Sequence, residues 1–240
     1  MATVAEVMSK VARECKVTAP GTWTSATTLT YLELKDLLQE TIDELLERVD
    51  WPDPISKSTV VSGTGVEAYD LPADFKRLTR DELTVYEQTK SRRAGIPITT
   101  RGQWTYLQDL GSAEGNRFYR TSGDEEDGFE ISFFPLAVTG DSITVSYVSR
   151  NWLSIGGTDG YLWTDESATL LLPRRLIELG VVWRFRRRKG LPYVDRYNEY
   201  ELVIGRQAND KKGIRTIGFG DDRDDAKPMR VPVPDFIPSA

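Results

Sequence analysis

The side chains that could do chemistry here fall into a few short runs. Asp124-Glu125-Glu126-Asp127 and Asp221-Asp222-Arg223-Asp224-Asp225 offer carboxylate oxygens of the kind that hold calcium or magnesium. Neither has the D-x-[DN]-x-[DN]-G spacing with its distal Glu, so both read as a solvated turn and a solvated tail. Gly111-Ser112-Ala113-Glu114-Gly115 lacks the lysine and the following helix signal of a phosphate-binding loop. The chain has no histidine and one cysteine, Cys15. That removes Ser-His-Asp and Cys-His catalysis, histidine zinc sites, an internal disulfide and a CxxC pair. No catalytic residue, metal ligand or cofactor is nominated, and none of the acids marks itself as a hydrolytic pair.

The densest charge feature is Arg184-Phe185-Arg186-Arg187-Arg188-Lys189, on a chain of net charge −6. Arg184, Arg186, Arg187, Arg188 and Lys189 could contact DNA phosphates. Cations in the last turn of a helix also complement its dipole, and Arg can bridge to acids on a neighbouring subunit; this structural reading is the preferred one. Tyr193, Tyr197 and Tyr200 step at helical spacing and read as core or interface packing rather than a base-stacking platform. Trp104, Tyr106 and Trp152 are the rings a sugar-binding module would use. The last run, Val231-Pro232-Val233-Pro234-Asp235-Phe236-Ile237-Pro238, forces an extended chain with apolar anchors at Val231, Val233, Phe236 and Ile237. It reads as an arm that docks in a groove, on a partner or on its own body.

The elements that must position these residues follow from length and periodicity. The sequence has 240 residues, of which 39% are hydrophobic and 28% charged, enough for one large domain or two modest ones. No run of 18 apolar residues exists, and charges in residues 1–16 exclude a signal peptide and a membrane span. Val4, Val7, Met8, Val11 and Cys15 form one helical stripe, and Leu34, Leu37, Leu38, Ile42, Leu45, Leu46 and Val49 a second over 31–49, with Glu33, Glu40 and Glu44 on the wet face. Short β-like runs follow at 58–62, 66–71, 83–86, 117–121, 129–134 and 142–149. The helical period returns after Trp163, with Thr164-Asp165-Glu166 as its start and Leu172, Leu176, Leu179 and Trp183 as its stripe, and again over 193–209. After Gly213 no period persists.

The expected fold class is α+β. A four-helix cluster, residues 1–54 and 160–212, carries an inserted small antiparallel β-sandwich or barrel domain, 55–159, and an extended C-terminal arm, 213–240.

Three segments carry a family likeness. Tyr69-Asp70-Leu71-Pro72-Ala73-Asp74-Phe75-Lys76-Arg77-Leu78 resembles the YxLPxDFxRL segment of tailed-phage head-to-tail adaptor proteins, the group that includes the tail tubular protein A type. Ile143 to Leu153 is similar to that family's strand before the return to helix, and Leu171 to Arg186 resembles its LLPExLIxLGxIWRWKR helix. The resemblance implies a virion protein without a catalytic site, assembled in the host cytoplasm as a twelvefold ring beneath the portal. Its partners would be the portal protein, the next stopper, tail or nozzle protein, and genomic DNA passing through the channel without sequence-specific binding. In that setting Val231, Val233, Phe236 and Ile237 become portal-docking anchors, and the basic helix end meets an acidic flank of a neighbouring subunit. A DNA-binding module using 184–189 and a carbohydrate-binding tail module remain as competing readings.

Overall fold

The computed structural model describes residues 2–80, 83–89, 94–111 and 115–211. Five helices frame the chain: α1 (Val4–Glu14), α2 (Leu29–Arg48), α3 (Arg101–Leu110), α4 (Arg174–Arg188) and α5 (Val194–Lys211). Between α2 and α4 run β1 (Ser56–Ser62), β2 (Ala68–Asp70), β3 (Phe75–Leu78), β4 (Val85–Glu87), β5 (Ile96–Pro97), β6 (Phe118–Asp124), β7 (Gly128–Phe134), β8 (Ser142–Ser149), β9 (Leu153–Ile155), β10 (Thr158–Gly160) and β11 (Thr169–Leu170). The fold is α+β, as the periodicity implies.

α1 starts where Thr3 accepts from the Glu6 backbone N–H and Glu6 answers on Thr3, a reciprocal cap that satisfies two free donors. Its stripe packs on α4, and α2 and α5 pack on α4 from other sides. α4 is therefore the axis of the helical region, buried at Leu176, Ile177, Leu179, Val181, Val182 and Phe185. Gly180 sets how closely α2 approaches. A Cβ there would lie 2.3 Å from Thr41 Cγ2, so only glycine fits.

The β strands form three sheets. β8 is the centre of one, with β1 along one edge and β3 and β4 along the other; β2-β7-β6-β5 form the second and β10-β9-β11 the third. The first two bury Val61, Phe75, Val85, Tyr119, Ile131, Phe133, Ile143, Val145 and Tyr147 between them. β8 alternates between partners: Ile143, Val145 and Tyr147 face this β core, while Val148 joins the helical cluster with Trp152 and Leu153.

Several details depart from the sequence reading. α4 begins at Arg174, ten residues after Thr164, because a residue preceding proline disfavours helix and Pro173 is the boundary. The intervening stretch instead turns at Asp165, which accepts from Ser167, and pairs β11 with β9. β5 pairs β6 in parallel, so the insert is not wholly antiparallel. Helix α3 has its signals in Thr100, which caps Gln103, and Gly111 at φ 67°, but its apolar stripe is too thin to stand out.

Candidate functional site

The cationic end of α4 lies along the acidic face of α2. Glu33, Glu40 and Glu44 recur at seven and four residues, which puts them on one side of α2, and Arg184 and Arg188 are one turn apart on α4. The two rows meet. Arg184 pairs with Glu44, donates to Thr41 Oγ1 at 3.1 Å and to the Gly180 carbonyl at 3.1 Å, and lays its guanidinium 4.5 Å from the Trp183 ring centroid. Arg188 pairs with Glu40, and Lys189 reaches Glu33 at 2.7 Å. The acids expected from a neighbouring subunit are thus supplied by the same chain for three of the five cations. Arg186 and Arg187 make no ion pair among the described residues.

Beside this seam lies a groove of about 420 Å³ lined by Glu44, Arg48, Trp183, Arg187, Tyr193, Val194, Tyr197 and Glu201. The tyrosine stripe supplies one wall by packing on Trp183, at 5.2 Å for Tyr197 and 6.2 Å for Tyr200. Tyr200 is fully buried, and that burial pushes its phenol up to about 12. Arg48 closes the groove floor, with hydrogen bonds to Glu201 at 2.7 and 2.6 Å that hold the Glu201 carboxyl below the usual range.

The Tyr69–Leu78 segment joins the β insert to the helices. Asp74 accepts from Lys57 Nζ at 3.0 Å, Tyr147 Oη at 2.9 Å and Ser149 Oγ at 2.8 Å. Burial alone would raise its carboxyl; these donors outweigh it and hold it below 3.8. Arg77 bonds Asp50 at 2.6 Å and the Leu46 carbonyl at 2.9 Å, fastening β3 to the end of α2. Glu178 is a second buried carboxylate. Burial would raise it, but Arg174 and Lys10 hold it low. Both acids are engaged by structural partners that hold them ionised.

The sugar platform does not form: Trp104 is 5% exposed and Trp152 2%, and the Trp152 Nε1 donates to the Tyr161 carbonyl; only Tyr106 of the three stands in solvent. Among the described residues no cluster of cysteine and carboxylate side chains could hold a metal ion, and no helix is long and apolar enough to cross a membrane. Cys15 is half-buried, and burial drives its thiol up to about 12, so it is no nucleophile at neutral pH. Val231, Val233, Phe236 and Ile237 lie outside the described residues.

The model of one family, SU10 adaptor protein, matches residues 2–232. The chain belongs to the SU10 adaptor protein family. No curated protein matched it. This SU10 adaptor is a structural phage protein and a virion component, and its family implies association with portal and tail proteins. The acidic partners of the basic run were legible in the Glu33, Glu40 and Glu44 spacing, which composition alone had marked only as a wet face. The Asp74 network gave no such signal, because its donors come from residues 57, 147 and 149, far away in sequence.

Proposed function

We propose that this SU10 adaptor assembles as a twelvefold ring beneath the portal, extends the DNA channel and presents a docking surface for the next tail component. Membership of the adaptor family over residues 2–232 is the observation that carries this reading. The helical region, 1–54 and 160–212, acts as the ring-forming body, the insert 55–159 as the part that faces a neighbouring component, and 213–240 as an arm that engages a second chain through Val231, Val233, Phe236 and Ile237. Arg186 and Arg187 are the cations with charge to offer a neighbouring subunit.

A DNA-binding role for 184–189 is the weaker reading. Arg184, Arg188 and Lys189 already spend their charge on α2, and phosphate affinity grows with the number of cations free to displace counterions. An acidic chain lets DNA slide rather than hold it.

Native mass measurement of the chain alone and mixed with its portal tests the proposal. The expected result is a small species alone and a large ring on the portal. A chain that stays monomeric beside the portal, or that binds duplex DNA with steep salt dependence, overturns it.

A further inference from the structure

β1 carries an open sheet edge. Its pairs with β8 run Ser56↔Val148 to Ser62↔Ser142. Just beyond each end, the Ser149 N–H donates to the Ile55 carbonyl at 2.8 Å and the Gly63 N–H to the Asp141 carbonyl at 2.9 Å. In an antiparallel ladder such narrow pairs alternate, so odd-numbered residues of β1 bond β8. The backbone groups of Ser58, Val60 and Ser62 therefore point the other way, and no strand pairs with them among the described residues.

At seven residues β1 is the longest edge strand here; β2, β3, β4, β5, β10 and β11 have two to four residues each. Exposed edges of this length are normally blunted by an outward lysine, a proline or a bulge. β1 has none of these on its open side. Its one lysine, Lys57, is drawn to Asp74 and Asp159, and its solvent face carries Val60, 52% exposed.

The sequence holds a segment shaped for such an edge. The last four prolines stand at 228, 232, 234 and 238, all even. In an extended strand successive residues turn their N–H and C=O to opposite edges. Every proline then falls on one edge, which between 231 and 238 keeps a donor only at Phe236, while Val231, Val233, Asp235 and Ile237 present complete N–H and C=O pairs on the other. Such a strand can pair once and cannot be extended further. We propose that residues 231–238 of one copy add as a strand to the open edge of β1 in an adjacent copy, pairing with Ser58, Val60 and Ser62.

Reach is sufficient for that step: residues 212–230 can span about 60 Å when extended, against a radius of gyration of about 17 Å for a body of this size. The inference rests on the reading of 213–240 as an arm that engages a second chain. It names which chain and by what bonds. The proline edge explains how a ring of such additions stops at one strand per subunit instead of growing into a larger sheet.

The test uses the full chain at a dilution where it is monomeric and a fluorescent peptide of residues 226–240. The peptide is expected to bind, and Val60→Pro, which removes an outward donor without touching the β8 ladder, should weaken binding at least about tenfold. N-methylation of Val233 in the peptide should abolish binding. N-methylation of Phe236, whose N–H lies on the proline edge, should leave it unchanged. Circular dichroism of the Val60→Pro chain checks its fold, and the methylated peptides decide the matter even if that variant does not fold. Equal losses from the two methylations, or undiminished binding to a folded Val60→Pro chain, overturn the proposal. So does failure of the peptide to bind, whether because a chain's own arm fills the edge or because the peptide binds the portal instead. Ring formation on the portal, read by mass, would then still stand.

Discussion

In the helical region three helices close around α4, and the charges along its seams find partners inside the chain: Arg184 with Glu44, Arg188 with Glu40, Arg48 with Glu201. In the β insert two sheets share a smaller core, and the charges that matter are a few clamps, with Asp74 tying β3 to β1 and β8, Arg77 reaching the end of α2, and Arg117 holding Glu87 and Asp141. The difference separates two kinds of specification. Helix packing is fixed by close steric fit along one axis, so small volume changes there are costly. The insert is fixed by a few polar clamps, so losing a partner matters more than losing a methyl.

The largest effect should come from Gly180→Ala. The new Cβ would stand 2.3 Å from Thr41 Cγ2, and Thr41 cannot step aside because its hydroxyl donates to the Leu37 carbonyl at 2.7 Å and accepts from Arg184. Overpacking of this sort costs about 3 kcal/mol, read as a drop in the urea midpoint at unchanged slope. Gly102→Ala in α3 and Gly205→Ala in α5 are the counterparts, since nothing lies within 4 Å of either Cβ position. Each should stabilise by about 0.5–1 kcal/mol through helix propensity. A destabilised Gly102→Ala would mean that α3 is not a free-standing surface helix.

Arg77→Ala comes next. It removes the clamp on Asp50 and the Leu46 carbonyl, for a loss of about 2 kcal/mol. Trp104 is the single tryptophan outside the helical cluster, in which Trp23, Trp51, Trp152 and Trp183 are buried and against which Trp163 packs. In a Trp104→Phe background fluorescence follows the helices alone, while circular dichroism follows both regions. The wild-type clamp predicts coincident transitions, and Arg77→Ala predicts that they separate. Coincident transitions in Arg77→Ala would show that the β8–Trp152 contact, rather than Arg77, carries the coupling.

Much of the helical region was legible in the sequence, because an apolar stripe at 3.6-residue spacing states both the helix and its buried face, as Leu34 to Val49 does. The alternation in β8 was equally plain. What the sequence withheld were elements defined by partners far away. β3 exists because Phe75 to Leu78 finds the open side of β8, and β9 to β11 are too short to show a period. Of the candidate site, the basic run was obvious and its partners were readable once α2 and α4 were set side by side. The Asp74 clamp required the fold, since its donors lie on β1 and β8.

Asp74→Asn tests that clamp through pH. Asp74 titrates below its ordinary 3.8 in the folded chain, so the charge it contributes is present above that value and is lost as pH falls through the lower folded one. The unfolding free energy of the wild type should therefore decline below about pH 4 more steeply than that of Asp74→Asn. At neutral pH the substitution should cost about 1–2 kcal/mol, because Tyr147 and Ser149 donate to different oxygens of Asp74 and the single amide oxygen can serve only one of them, while Lys57 is left with Asp159 as its charge partner. Parallel acid slopes in the two proteins would remove Asp74 from the list of groups that clamp the insert together.

Lys189→Ala should have the smallest effect, about 0.3 kcal/mol, and that smallness is itself informative. Its pair with Glu33 sits at the solvent end of the seam, where water competes and a long side chain must be held in one rotamer. Arg184, five residues earlier, is enclosed between Thr41, Glu44 and Trp183, so Arg184→Ala also forfeits packing and leaves Glu44 with Arg48 as its remaining partner. A double-mutant cycle of Lys189 with Glu33 should give coupling that fades with salt, whereas the Arg184–Glu44 cycle should keep most of its coupling. If the two cycles gave equal, salt-sensitive coupling, the seam would be a screened surface along its whole length, and its cations would be available to a neighbouring subunit or to DNA after all.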